Sequence, residues 1–410
     1  MYQERYLQDQ VIKLSKTFPI VLLTGARQVG KTTLLKHLSE QSSLLRHRYV
    51  SLDEFETRSL AKNDPGLFLQ QYPAPLVIDE IQYAPQLFPY LKAEVDRHNM
   101  KMGMYWLTGS QQFHLMKNVS ESLAGRVGIL KLLGISQAEE EEVALEKNPW
   151  DPQQVRMEKE FGSETLLQIF KKIVRGFFPR LLHRNTPPLD AFYGSYVQTY
   201  IDRDLRDLVK VSSLSSFEKF IRICAARTAC ILNLSDLARD SDVSVNTAKE
   251  WLSLLEAGDQ IFLLRPYYQN LTKRLIKAPK LYFLDTGLAC YLTGWKDATT
   301  TARGAFAGQL FETFVVGEII KSYCHRGIEP RIFYFRTKDK IEVDLLIEKN
   351  GELLPVEIKL SSLVQPTDAK GIFYLKNAGF PISKGAIIAP TRQLYALSSE
   401  LLVVPPSYIR

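Results

Sequence analysis

The stretch PIVLLTGARQVGKTTLLKHL, residues 19–38, decides the N-terminal fold. An apolar run, a glycine-bounded loop and a helically spaced run follow one another without a break. The segment therefore reads as a buried strand, a loop, and a helix that opens at Lys31. Gly25-Ala-Arg-Gln-Val-Gly30-Lys31-Thr32 has the spacing G-x-x-x-x-G-K-[ST] of a phosphate-binding loop. Its glycines let backbone N–H groups curl around phosphate oxygens, Lys31 reaches the β and γ phosphates, and Thr32 offers a hydroxyl to magnesium. The expected ligands are ATP and Mg2+, contacted by Gly25, Ala26, Arg27, Gln28, Val29, Gly30, Lys31, Thr32 and Thr33.

Outward from this loop, RYVSL runs up to Asp53, PLVIDE follows a proline-rich turn, and MYWLTGS ends at Ser110. Strand-like runs that alternate with helical patterns predict an α/β fold, a P-loop NTPase parallel sheet with helices on both faces. In Leu76-Val-Ile-Asp79-Glu80, Asp79 at a strand end is placed to hold hydrated magnesium. Glu80 beside it is placed to polarise a water for attack on the γ phosphate. Ser110 is a candidate sensor of the γ phosphate, or a cap for the next helix. Arg126, in SLAGR, is a candidate arginine finger for its own subunit or a neighbour's, which would imply a homo-oligomer; its alternative is a structural ion pair.

Composition bounds these readings. At 410 residues, 45% hydrophobic and 24% charged, the chain is long and apolar enough for several domains with cores of their own, and disorder is excluded as the default. No apolar run approaches the ~18 residues of a membrane span, and MYQERYLQDQ lacks the apolar core of a signal peptide. A cytoplasmic protein with no membrane partner is expected. Cys224, Cys230, Cys290 and Cys324 form no C-x-x-C pair and have no histidines at zinc spacing, which predicts free thiols. The net charge of +7 mildly favours an anionic partner.

After Leu133 the acidic run EEEE (139–142) and NPWDPQQ read as a solvated linker. Residues 160–228 read as a helix-rich lid or connector. In 233–264, Asn233 caps one helix and Ser244 another, whose apolar face is Ala248, Trp251, Leu252 and Leu255. Helix, turn, helix and strand is the order of a winged helix-turn-helix. Its second helix carries Lys249 beside Glu250 and Glu256, poor material for reading bases. The wing NLTKRLIKAPK offers Lys273, Arg274, Lys277 and Lys280 to backbone phosphates, so sequence-tolerant contact with double-stranded DNA is expected. A domain that only packs against the ATPase core is the alternative. The last hundred residues read as a helix (306–322), strands at 331–336, 341–348 and 353–360, a helix (366–378) and a strand (384–389), with Asn350-Gly351 as a tight turn.

Within IEVDLLIEKNGELLPVEIKL (341–360), alternate residues share a face, so Glu342 goes with Asp344 and Glu357 with Lys359. Acids converging on one pocket repel unless a cation lies between them, which points to Mg2+ or Mn2+. Lys359 would position an attacking water or neutralise a scissile phosphate. The alternative is a hairpin whose polar residues face solvent.

Taken together, GARQVGKTTLL, VIDEIQ, LTGS and ESLAGR resemble a widespread prokaryotic family of AAA-type ATPases whose C-terminal region has no characterised function. LARDSDVSVNTAKEWLSLLE, PKLYFLDTGLACYLTG and the EVD and VEIK pair look like that region, so the likeness covers nearly the whole chain. It implies ATP binding and hydrolysis, a winged-helix module and a restriction-endonuclease-like terminal domain. The D...E-x-K order resembles such nucleases, and Glu312 in GQLFETFVVGE matches the helical acid many of them use. The resemblance thus implies a metal set of Glu312, Asp344 and Glu357. The expected division is an ATPase domain (1–140), a helical connector (141–210), a winged helix (211–300) and a small nuclease-like α/β domain (301–410). Two functions fit: an ATP-dependent enzyme on DNA with metal-dependent cleavage, or a nucleotide-gated switch or scaffold whose terminal domain binds a partner without cutting.

Overall fold

The structure is a computed structural model that describes residues 2–41, 47–109, 119, 121–144, 146–157, 162, 164–182, 185–200, 214–268 and 277–410. The chain divides into two compact units. One is Met1–Ile135 with Ala257–Asp259 and Cys324–Ile328; the other is Ser136–Glu256, Gln260–Tyr323 and Glu329–Arg410.

In the first unit, β1 (Ile20–Thr24), β2 (Arg48–Ser51), β3 (Leu76–Asp79), β4 (Tyr105–Gly109) and β5 (Val127–Lys131) form an all-parallel sheet in the order β2-β3-β4-β1-β5. Every residue of β1, β3 and β4 is buried. In a pleated strand that requires cover on both faces, the condition a parallel sheet meets with its crossover helices. Leu22, Ile78 and Leu107 pack with Phe68, Phe88 and Leu91 in one core. The helix Lys31–Gln41 starts where the sequence placed it. The fifth strand was not anticipated, because VGILK alternates buried and exposed positions and lacks the continuous apolar run of its neighbours.

In the second unit, the acidic run departs from the solvated linker expected of it. Ser136 caps the short helix Gln137–Glu140, with Glu139 closing the capping box and buried. Glu140 takes both guanidinium nitrogens of Arg175 at 2.6 Å, and Glu141 meets Lys172 and Arg410. Local composition shows the charges but not the distant cations that satisfy them.

Helices Leu214–Ala225, Leu234–Asp240 and Val245–Ala257 accompany β6 (Cys230–Ile231), β7 (Ile261–Leu264) and β8 (Lys280–Phe283), an antiparallel sheet in the order β6-β8-β7. The Asn233 side chain accepts from Ser235 N and Asp236 N, and Ser244 Oγ accepts from Thr247 N. Ala248, Trp251, Leu252 and Leu255 are buried, with Trp251 set against Phe217 and Phe220.

The terminal segment builds a six-stranded mixed sheet, β13-β14-β12-β11-β10-β9. Its strands are β9 (Ile332–Arg336), β10 (Glu342–Lys349), β11 (Glu352–Ile358), β12 (Gly385–Ile388), β13 (Tyr395–Ser398) and β14 (Leu401–Val404). Helices Ala307–Cys324 and Lys370–Asn377 accompany it. Asn350 and Gly351 both have positive φ, 53° and 82°, as a two-residue hairpin turn of this hand requires. The β13–β14 pair was not anticipated: β13 is short and half exposed, so its apolar signal is weak. Cys224, Cys230, Cys290 and Cys324 form no disulfide. Among the described residues, no helix is long and apolar enough to cross a membrane.

Candidate functional site

The loops that follow β1 and β3 leave the same edge of the parallel sheet, which brings the phosphate-binding loop beside Asp79 and Glu80. Gly25 has φ 144°, and a Cβ there would lie 2.1 Å from Leu132 O, so only glycine fits this approach to the chain leaving β5. Arg5, which the sequence gave no reason to choose, fastens the loop by donating to Val29 O at 2.8 Å and Leu133 O at 2.7 Å. Lys31 is buried and donates to Gly25 O and Ala26 O, 2.9 and 2.8 Å away. Burial pulls its ammonium below the usual range, against the opposing charges of Glu80, Asp259 and Asp79. The first amides of the helix Lys31–Gln41 have no intrahelical partner, which leaves them for an anion.

Asp79 gathers three hydroxyls. Thr32 donates to it at 2.8 Å, Tyr49 at 2.7 Å, and Thr108 completes the set. Thr108 Oγ1 also accepts from Glu80 N at 3.0 Å, so one side chain fixes both acids. Glu80 has a left-handed backbone, φ 57°, uncommon for a residue with a Cβ, and its carboxylate is met by Gln82. Adjacent Thr32 and Asp79 oxygens are hard donors, and they fit Mg2+, which takes few protein ligands and fills its shell with phosphate and water. Thr108 and Tyr49 were missed. Thr108 lies in the quoted LTGS two residues before Ser110, which was the available signal. Burial and Asp79 push the Tyr49 phenol up.

Two expected participants fall differently. Ser110 lies outside the described residues. Arg126 starts from the other end of the sheet: its carbonyl accepts from Ile20 N at the starting edge of β1, whereas the loop follows the far end. Five strand residues at about 3.3 Å each separate the two by roughly 15 Å. The Arg126 guanidinium is held bidentately by Asp96, at 2.8 and 3.0 Å, which is the structural ion pair.

The second group of predicted residues meets at the terminal sheet. The β10–β11 register, Leu345 opposite Val356, carried one step further sets Asp344 across from Glu357. Lys359 lies 3.1 Å from Glu357 and 3.8 Å from Asp344, and Asp344 also accepts from Ile358 N at 2.9 Å. Burial and the Asp344 charge hold the Glu357 carboxyl well above its ordinary value. Glu312 joins the group, pushed up to about 7 by burial and by Asp344. The expected hard-cation pocket is not found, however. Among the described residues no three acids or other ligand groups are arranged to hold a metal.

A lysine stands between the acids instead. Lys280 Nζ lies 2.5 Å from Glu342, 3.2 Å from Glu312 and 3.7 Å from Asp344. This corrects the assignment of Lys280 to a phosphate-contacting wing. It sits on β8 with 4% of its side chain exposed, because the ladder to β6 and β7 turns it inward. Burial opposes its charge, but Glu312, Asp344 and Glu342 hold the ammonium well above its ordinary value. Of the other wing cations, Lys277 is exposed, while Lys273 and Arg274 lie outside the described residues.

With this geometry in place, comparison with known proteins divides the chain in three. Residues 17–140 match an AAA domain. The segment that carries the phosphate-binding loop is thus similar to AAA domains. Residues 167–299 and 307–409 match two domains of unknown function, DUF8612 and DUF4143. Uncharacterized proteins of Mycobacterium tuberculosis and Mycobacterium bovis are each 28% identical over 393 residues, covering 95% of this chain and 81% of theirs. Among solved structures, a Walker-type ATPase of Pyrococcus abyssi aligns at 12% identity over 71% of this chain and 96% of its own, with a TM-score of 0.43. AMPPCP-bound DnaA from Aquifex aeolicus aligns at 13% identity over 61% and 85%, with a TM-score of 0.28.

Proposed function

We propose that the chain is a Mg2+-dependent ATP hydrolase whose nucleotide state governs how the remaining domains engage their partners. The observation that carries this reading is the linked set Thr32, Asp79, Thr108 and Glu80 beside the buried ammonium of Lys31. Lys31 would exchange its two carbonyl contacts for β and γ phosphate oxygens. Thr32 and Asp79 would hold magnesium, which neutralises phosphate charge. Glu80, released by Gln82, would accept a proton from the attacking water as the bond from the γ phosphorus to ADP breaks. Lys31→Ala should weaken binding of a fluorescent ATP analogue at least tenfold, and Glu80→Gln should bind normally with turnover reduced 100-fold or more. Parent-rate hydrolysis by Glu80→Gln would remove the assigned base.

A second reading concerns residues 211–300. Three helices with a β6-β8-β7 sheet support a winged helix, and exposed Lys277 with Lys273 and Arg274 supports sequence-tolerant contact with duplex DNA. In the division proposed, a connector (141–210) joins this module to the ATPase (1–140), and a nuclease-like fold (301–410) follows it.

A further inference from the structure

We propose that Lys280 is a built-in counter-ion among the acids expected to hold a divalent metal, so that the terminal domain does not cleave nucleic acid by metal catalysis. The argument is independent of the ATPase reading. Glu312, Glu342, Asp344 and Glu357 form one network of carboxylates linked by Lys280, Lys359 and Arg336. An ammonium has three N–H donors, and three of these acids lie around Lys280 Nζ. Tyr282, two residues along on the same face of β8, donates to Glu312 at 2.6 Å and fixes that carboxylate toward the lysine.

The position of Lys280 is set by backbone, not by a mobile loop. β8 is the middle strand of its sheet, and Lys280 is registered against both Ile231 and Leu264. A divalent ion binding the same oxygens at roughly 2.0–2.6 Å would lie within a few ångströms of the ammonium. It would then have to overcome like-charge repulsion or expel a buried cation from its partners. Neither penalty exists in a pocket whose acids face one another across water. The EVD and VEIK pattern is thus kept as a charge-compensated cluster, and the lysine arrives from a segment some sixty residues upstream.

The test is thermal unfolding of the full chain without nucleotide, with and without Mn2+, in the parent, Asp344→Asn, Lys280→Met and the double variant. Comparing the parent with Asp344→Asn subtracts any Mn2+ bound at the phosphate-binding loop. The parent and Asp344→Asn should show the same Mn2+ shift, and the parent should not nick supercoiled plasmid in Mn2+. Lys280→Met should melt lower than the parent without metal, then gain a Mn2+-dependent rise of several degrees that the double variant lacks. A parent shift larger than that of Asp344→Asn, or plasmid nicking lost in Asp344→Asn, would overturn the proposal. So would a folded Lys280→Met protein that gains nothing from Mn2+. Should Lys280→Met fail to fold, the parent and Asp344→Asn comparison and the plasmid assay still decide. ATP turnover measured on the same proteins keeps the outcome separate from that of the hydrolase reading.

Discussion

Asp79 is buried and Asp285 half-buried, and the two carboxylates differ in what surrounds them. Asp79 is surrounded by hydroxyls, groups that can turn to offer either a proton or a lone pair when a cation arrives. Asp285 instead accepts from two fixed backbone amides, Phe177 N at 2.7 Å and Leu288 N at 2.8 Å, and from one hydroxyl, Tyr193 OH at 2.8 Å. It caps the helix Thr286–Thr293. Burial raises its pKa despite those bonds. The folded state therefore keeps the proton at pH values where the unfolded chain has released it, and this site's contribution to stability falls as pH rises above about 4. Asp285→Asn has no such titration but loses one acceptor, costing about 1 kcal/mol or more at low pH. Urea unfolding between pH 4 and 8 should show the parent's advantage over Asp285→Asn shrinking as pH rises. A constant or widening gap would contradict the assignment. The importance of Asp79 was legible from its place after an apolar strand, whereas FLDTG gives no local sign that Asp285 serves Phe177, 108 residues away.

Elements were most legible where a local rule dictates them. Asn350-Gly351 takes the two positive φ values its turn needs, and Asn233 and Ser244 cap the helices they were assigned to cap. The reading failed where a residue's role depends on pairing between distant strands. The basic stretch 273–280 looks uniform in sequence, yet the ladder of β8 with β6 and β7 takes Lys280 out of the wing and into the interior. This sharpens the DNA prediction. Lys273, Arg274 and Lys277 remain as the proposed phosphate contacts, and on that proposal affinity for duplex DNA should fall steeply with salt. Replacing the three by Ala should lower the slope of log K against log salt by about 3, at roughly 0.9 per contact. Duplex binding measured by fluorescence anisotropy across a salt series checks this, and an unchanged slope would place the DNA contact elsewhere or remove it.

At the scale of the whole molecule, the chain does not sort into units in sequence order. Ala257–Asp259 and Cys324–Ile328 belong with the unit that carries the phosphate-binding loop, although the residues on either side of each belong to the other. Both insertions are in use. Asp259, with 1% of its side chain exposed, pairs with Lys131 at 2.7 Å and adds its charge to the field at Lys31. At Gly327, where φ is 68°, a Cβ would come within 3.1 Å of Leu130. No pattern in 1–140 announces these partners, because each lies more than a hundred residues beyond the sheet it completes. A fragment of 1–140 therefore keeps every loop and acid of the nucleotide site but loses Asp259 and the packing on β5. Compared with the full chain, that fragment should bind the ATP analogue at least fivefold more weakly, about 1 kcal/mol, and unfold at lower urea. Asp259→Asn in the full chain isolates the charge. It should reproduce part of the affinity loss with little of the stability loss, since the half-exposed Lys131 can turn to solvent. Equal affinity and an equal unfolding midpoint for fragment and full chain would mean that the N-terminal unit is complete without its two distant segments.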